Sequence, residues 1–217
     1  MTTFGEIVEP TSRTTWEDWD EIFTEETNVE NLNWHENVDL PTLIDKFFVF
    51  EGKYLSDCVK TQSHHDLQLV NSIPKVNLYL YKNSSTFVCI VKDYNLLQSS
   101  EILEMLKPYL LISEEVIALQ TKSLPEFFTT GYSTNECIIR AITTTTPLKC
   151  IKDEFTKLEQ PNIISGISAG IVTLREYLDK TAIAIVCYVE HAEEHQIEDV
   201  QKLLKNLNIL QDIKSRQ

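Results

Sequence analysis

Three short runs place side chains at spacings familiar from catalysis. Gly166-Ile167-Ser168-Ala169-Gly170 matches the Gly-x-Ser-x-Gly elbow, where a serine stands on a sharp strand-to-helix turn and an imidazole takes its proton. Asp179 and His191 follow in the chain order Ser…Asp…His. His191-Ala192-Glu193-Glu194-His195 matches His-x-x-Glu-His; on one helix it would set two imidazoles a turn apart around zinc, with a carboxylate as base. Cys58 stands near His64 and His65, a thiol with candidate bases.

Each pattern needs an element to position it. The elbow requires a strand immediately before the serine, but Pro161 and Asn162 stand just upstream and only Ile163-Ile164 is left to be strand. Ser168 is therefore expected within the first turns of an amphipathic helix. The His-x-x-Glu-His run begins just past a strand end and has no third ligand, since Glu198 reads as ordinary helix surface. Cys58, His64 and His65 have no identifiable orienting group. There is no Cys-x-x-Cys pair, calcium loop or phosphate-cradling glycine loop, and the chain holds five glycines. No catalytic, metal or cofactor residue is assigned. A serine hydrolase using Ser168 stands as the alternative reading.

The stretch around Ser168 organises the chain. Gln160-Pro161-Asn162 is turn chemistry, and Ser165 is a candidate helix cap. Ile167, Ile171, Leu174 and Leu178 form one apolar face over 163–179, with Thr173, Arg175, Glu176 and Lys180 turned mainly away. Ala169 and Gly170 let this helix lie close to a sheet. Ala182 to Val189 lacks polar alternation, the mark of a strand covered on both faces.

Upstream, Phe47 to Phe50 reads as a strand closed by Gly52, and Val76, Leu78 and Leu80 alternate with Asn77, Tyr79 and Tyr81. Asn83-Ser84-Ser85 turns that strand into Thr86–Val91 as a hairpin. Ser99 or Ser100 caps a helix carrying Ile102, Leu103, Met105 and Leu106, which Pro108 is expected to end. Val116 to Leu119 is a further strand. Cys137 to Ile142 is an apolar segment of open type, and 53–72 is ambiguous. Ile197, Val200, Leu203, Leu204 and Leu207 mark a last helix, supported by Glu198 and Lys202. Strands alternating with helices predict an α/β domain over 42–217: a mostly parallel central sheet with helices on both faces.

Residues 1–41 differ. From Trp16 to Asp39 there are nine acidic residues, and no Lys or Arg falls between Arg13 and Lys46. All three tryptophans, Trp16, Trp19 and Trp34, lie here with Phe23. Such an acidic N-terminal arm reads either as a self-repelling tail or as a segment whose aromatics dock on a partner or on the chain's own domain. Trp16, Trp19, Phe23 and Trp34 are the candidate partner-binding residues. Across the chain a net charge of −14 argues against nucleic acid and anionic membranes, and suits neutral or basic partners. No apolar run approaches a bilayer span, the N-terminus lacks the features of a signal peptide, and five scattered cysteines suit free thiols; a cytoplasmic location, or a nuclear one as well, is expected.

Several stretches, in order, resemble the proteasome assembly chaperone 1 family: Thr3-Phe4-Gly5-Glu6-Ile7-Val8, Val76-Asn77-Leu78-Tyr79-Leu80, Phe87-Val88-Cys89, Leu158-Glu159-Gln160-Pro161-Asn162-Ile163 and the strand ending Cys187-Tyr188-Val189. The resemblance implies a nucleoside-phosphorylase-like α/β sandwich without enzymatic activity. It further implies pairing with a proteasome assembly chaperone 2 homologue to guide proteasome α subunits into a ring and block off-pathway ring dimers. Members of the family can end in a hydrophobic–tyrosine–any-residue tail; Lys214-Ser215-Arg216-Gln217 does not fit that pattern. A generic acidic adaptor working through the arm is a third reading.

Overall fold

The computed structural model describes residues 32–52, 54–56, 67–129, 137–146, 155–190 and 194–207, the last from 198 onward with its side chains. All lie in the compact unit Leu32–Gln217. In chain order the elements are β1 (Ile44–Glu51), β2 (Gln68–Ile73), β3 (Leu78–Asn83), β4 (Thr86–Val91), α1 (Ser99–Ile112), β5 (Ser113–Ser123), β6 (Cys137–Thr143), α2 (Gly166–Tyr177), β7 (Ala182–Val189) and α3 (Glu194–Asn206).

The strands form one seven-stranded sheet in the order β2-β3-β4-β1-β5-β7-β6. β1 pairs in parallel with β4 and β5, and β5 with β7. β2–β3, β3–β4 and β6–β7 are antiparallel. The sheet is thus mixed: the expected parallel arrangement holds for the four central strands and gives way to antiparallel margins. The cause is legible in burial. Phe47–Phe50, Phe87–Val91 and Ala182–Tyr188 are buried without alternation, as parallel strands with both faces covered require.

Two apolar layers cover the sheet. On one face Phe47, Val49, Leu78, Leu80, Val116 and Ala184 pack under Ile102, Leu106, Tyr109 and Leu110 of α1 and Ile167 and Ile171 of α2. On the other, Phe48, Phe50, Ile117, Leu119, Ile183 and Ile185 meet Val200, Leu203 and Leu204 of α3, then Leu207. Helices therefore lie on both faces. In α3, Lys202 pairs with Asp199 at 3.2 Å rather than with Glu198. Among the described residues no helix is long and apolar enough to cross a membrane.

Pro108 does not end α1, which runs on to Ile112. An interior proline costs about 3 kcal/mol. Beyond it Tyr109 and Leu110 are both buried, at about 1.5–3 kcal/mol each as an upper estimate. Burial at least matches the loss, and the Ser113 hydroxyl donates to the Tyr109 carbonyl at 2.7 Å where the helix stops. Gly170 is small for a different reason than its closeness to a sheet: a Cβ there would lie 2.8 Å from Leu103 of α1.

Both margins of the sheet are occupied. Beside β2, the His35 N–H donates to the Ser72 carbonyl at 2.9 Å, and the Asn71 amide donates to the Glu36 carbonyl at 2.7 Å. Beside β6, the Ala141 N–H donates to Thr156 at 3.0 Å and the Leu158 N–H to Ala141 at 2.9 Å, while Arg140 donates to the Ile139 carbonyl at 3.0 Å.

Candidate functional site

In open α/β sheets ligands gather beyond the carboxyl ends of the parallel strands. Here that place is filled from within. Glu51 ends β1 with its carboxylate under the first turn of α2: one oxygen accepts the Ser168 N–H at 3.0 Å and the Ser168 hydroxyl at 2.6 Å. The Tyr94 hydroxyl donates to the other oxygen and accepts the Ile167 N–H at 3.2 Å. A carboxylate at a helix N-terminus satisfies orphan N–H groups and complements the helix dipole. Burial first, then the Glu51 carboxylate, hold the Tyr94 phenol above its ordinary pKa, so it stays a donor. Gly166 is required at this corner, because its φ is +73° and a Cβ would fall on Glu51 Oε1 and Tyr94 Oη. Ser165 precedes α2 as expected but makes no side-chain cap; Glu51, distant in sequence, does that work.

This decides the elbow pattern. Ser168 is the third residue of α2, fully buried, and its hydroxyl partner is a carboxylate rather than an imidazole. Asp179 lies past the other end of α2, some 16 Å along the axis at 1.5 Å per residue. The strand–turn–helix geometry of a nucleophile elbow is absent around Ser168. His191, Cys58, His64 and His65 lie outside the described residues, as does the His195 side chain. Among the described residues no three His, Cys, Asp or Glu side chains gather to hold a metal.

Arg175 is the reverse of its expected place. Rather than facing away from the core it is fully buried, and its guanidinium makes five hydrogen bonds to four carbonyls: Leu110 (2.8 Å), Ser113 (2.9 Å), Glu114 (2.7 Å) and, twice, Thr181 (3.1 and 2.9 Å). It thereby fastens α2 to the end of α1 and the starts of β5 and β7. Burial lowers its pKa to about 10, so it remains a cation at neutral pH.

Of the candidate partner-binding aromatics, Trp16, Trp19 and Phe23 lie outside the described residues. Trp34 is half-buried against the first apolar layer, edge-on to Tyr109 at 5.9 Å. Next to it Leu32 is buried, and its N–H is accepted by Glu101 of α1.

Loops beyond the strand ends carry exposed Leu96, Leu97, Phe128 and Ile163, the last 70% exposed. Their backbones are held: Asn162 donates to the Phe128 carbonyl and accepts its N–H, both at 2.8 Å, and Lys122 donates to the Ile163 carbonyl at 3.0 Å. Beside Ile163 runs a groove of about 870 Å³ between α2, β6 and 157–164. Sequence reading does not assign these roles to Glu51, Arg175 and Asn162, because partners such as Ser168, Leu110 and Phe128 are dozens of residues away.

No family profile and no curated protein matches the chain. Solved structures do. Pyrococcus furiosus PbaA, described as an archaeal homolog of proteasome-assembly chaperone, aligns at 13% identity over 83% of this chain and 87% of its own, with a TM-score of 0.57. The chain shares this fold. P. furiosus PbaB, an archaeal proteasome activator, aligns at 10% identity over 83% and 90%, with a TM-score of 0.59. A Thermoplasma acidophilum protein of unknown function aligns at 13% identity over 80% and 79%, with a TM-score of 0.56.

Proposed function

We propose that this chain is a non-catalytic chaperone of proteasome assembly, working in the cytoplasm or nucleus. It pairs with a proteasome assembly chaperone 2 homologue, promotes α-ring formation and blocks off-pathway ring dimers. The observation that carries this reading is the PbaA-like fold spanning most of both chains, together with the sequence resemblance. The burial of Ser168 and its bond to Glu51 support it, since they take the candidate nucleophile out of reach of a substrate. Trp16, Trp19, Phe23 and Trp34 are proposed to contact partners, Trp34 from its half-buried place beside Tyr109. Anchoring to the ring is proposed to fall to the partner chain or to surfaces of the α/β body.

The test is affinity purification of the tagged chain followed by mass spectrometry. An assembly chaperone 2 homologue and α subunits are expected, without mature, active particles. Equal recovery of mature particles counts against the proposal.

A further inference from the structure

We infer that residues 32–36 form a latch: they come off together while the seven-stranded sheet stays folded, baring the outer edge of β2 and the apolar surface under Leu32 and Trp34. Their contacts fall into two sets. On α1, Leu32 is buried, its N–H is accepted by Glu101, and Trp34 stands edge-on to Tyr109 at 5.9 Å. On β2, the His35 N–H donates to the Ser72 carbonyl at 2.9 Å. Asn71 accepts the Glu36 N–H at 3.1 Å and donates to the Glu36 carbonyl at 2.7 Å. The segment lies where a further strand would pair with β2.

The chain that leads from it to β1 adds little hold. Val38, Leu40 and Leu43 stay exposed, and among the described residues none of 37–43 takes part in a backbone hydrogen bond. Fixing a residue costs conformational entropy whether or not it buries anything. The contacts of 32–36 alone therefore hold the whole stretch 32–43 in place. The inner strands are held quite differently: β1 and β7 each pair on both sides, and Phe47–Phe50 and Ala182–Tyr188 are buried. Segments with few buried apolar contacts open at a lower free energy than such a core. Glu101 adds to the difference. One of its oxygens accepts the Leu32 N–H, while Oε2 is buried without a partner, a cost the closed latch carries and open water removes. Opening leaves the Ser72 carbonyl and the Asn71 amide on a bare strand edge, the form in which one chain adds to another. This inference is independent of the proteasome reading, and its test uses the chain alone.

The measurement is amide hydrogen exchange, followed by NMR on the full-length chain. The Leu32, His35 and Glu36 N–H groups are expected to exchange together, at least about tenfold faster than the buried amides of β1 and β7 and at least about tenfold slower than in an unstructured peptide. Trp34→Ala is expected to quicken all three by about tenfold and to leave β1 and β7 unchanged. Asn71→Ala removes only the Glu36 side of the hold, yet is expected to quicken Leu32 as well, because the latch opens as one piece. Exchange of the three amides in step with β1 and β7 overturns the inference, since the segment would then leave only when the body unfolds. So does exchange at the unstructured rate, a Leu32 amide that Asn71→Ala leaves unaltered, or a Trp34→Ala effect shared equally by β1 and β7. Amides of β2 bonded to β3 that exchange as fast as the latch also overturn it, because the edge would then come away too.

Discussion

Two buried polar side chains, Glu51 and Arg175, carry much of what single residues do in this protein. Hydrogen bonds to charged groups contribute about 1.5–3 kcal/mol each, and leaving one partner unmet costs about 1–3 kcal/mol. Ser168→Ala removes one donor from Glu51 but keeps the Ser168 N–H, so it is expected to lower stability by about 1–3 kcal/mol in denaturant unfolding while leaving partner recovery intact. Loss of partners from a variant that still folds would mean that Ser168 does more than cap a helix. Arg175→Met fills similar space but takes the guanidinium from the carbonyls of Leu110, Ser113 and Glu114, and leaves Thr181 only the Val116 N–H at 3.4 Å. A loss of about 3–5 kcal/mol is expected, large for one substitution, read by chemical unfolding. A loss below about 1 kcal/mol would show that water replaces the guanidinium.

Elements were legible in the sequence where one face or both are uniformly apolar. β1, β4 and β7 and the hairpin at Asn83–Ser85 follow from buried runs and turn residues. β2 was not legible, because it is a margin strand with exposed Gln68 and Leu69 and a register shift before Asn71. β6 was ambiguous because Arg140 interrupts its apolar run, and only pairing with β7 makes it a strand. Pro108 misled because its local penalty is set against tertiary burial that no window of sequence shows. The candidate site failed in the same way: Gly-x-Ser-x-Gly marked the glycines and the serine, but Glu51 explains Gly166 and Ser168, and Leu103 explains Gly170. Arg140 also ties β6 to the 157–164 segment through Glu159 at 2.8 Å. That hydrogen bond holds the Glu159 carboxyl below its ordinary pKa of 4.5. With the folded pKa lower than the unfolded one, the unfolded chain binds more protons between the two values; the stabilisation is full above about pH 4.5 and lost as pH falls through the folded value. Glu159 is 41% exposed, so only a few tenths of a kcal/mol are at stake. Glu159→Gln is expected to melt slightly below the wild type at pH 7 and level with it in acid; an equal gap at both pH values would contradict this origin.

At the scale of the molecule, charge is unevenly spread. A chain of net charge −14 attracts basic groups over distance, and nine of its acidic residues fall between Trp16 and Asp39. Where the arm is cut therefore matters. Removing residues 1–31 is expected to leave the melting temperature unchanged and most partner recovery in place. Removing 1–40 also takes away Leu32, Trp34 and the His35–Ser72 bond and is expected to destabilise the body. If the shorter truncation alone abolished partner binding, the acidic segment would be the binding element. Finally, the margin strands β2 and β6 have neighbours on their outer sides: His35 and Glu36 beside β2, Thr156 and Leu158 beside β6. Exposed strand edges invite one chain to zip onto the next, which is how ordered fibrils begin. A margin covered in this way makes a poor seed: where those contacts hold, the backbone offers no template, and encounters are left to side chains that can let go.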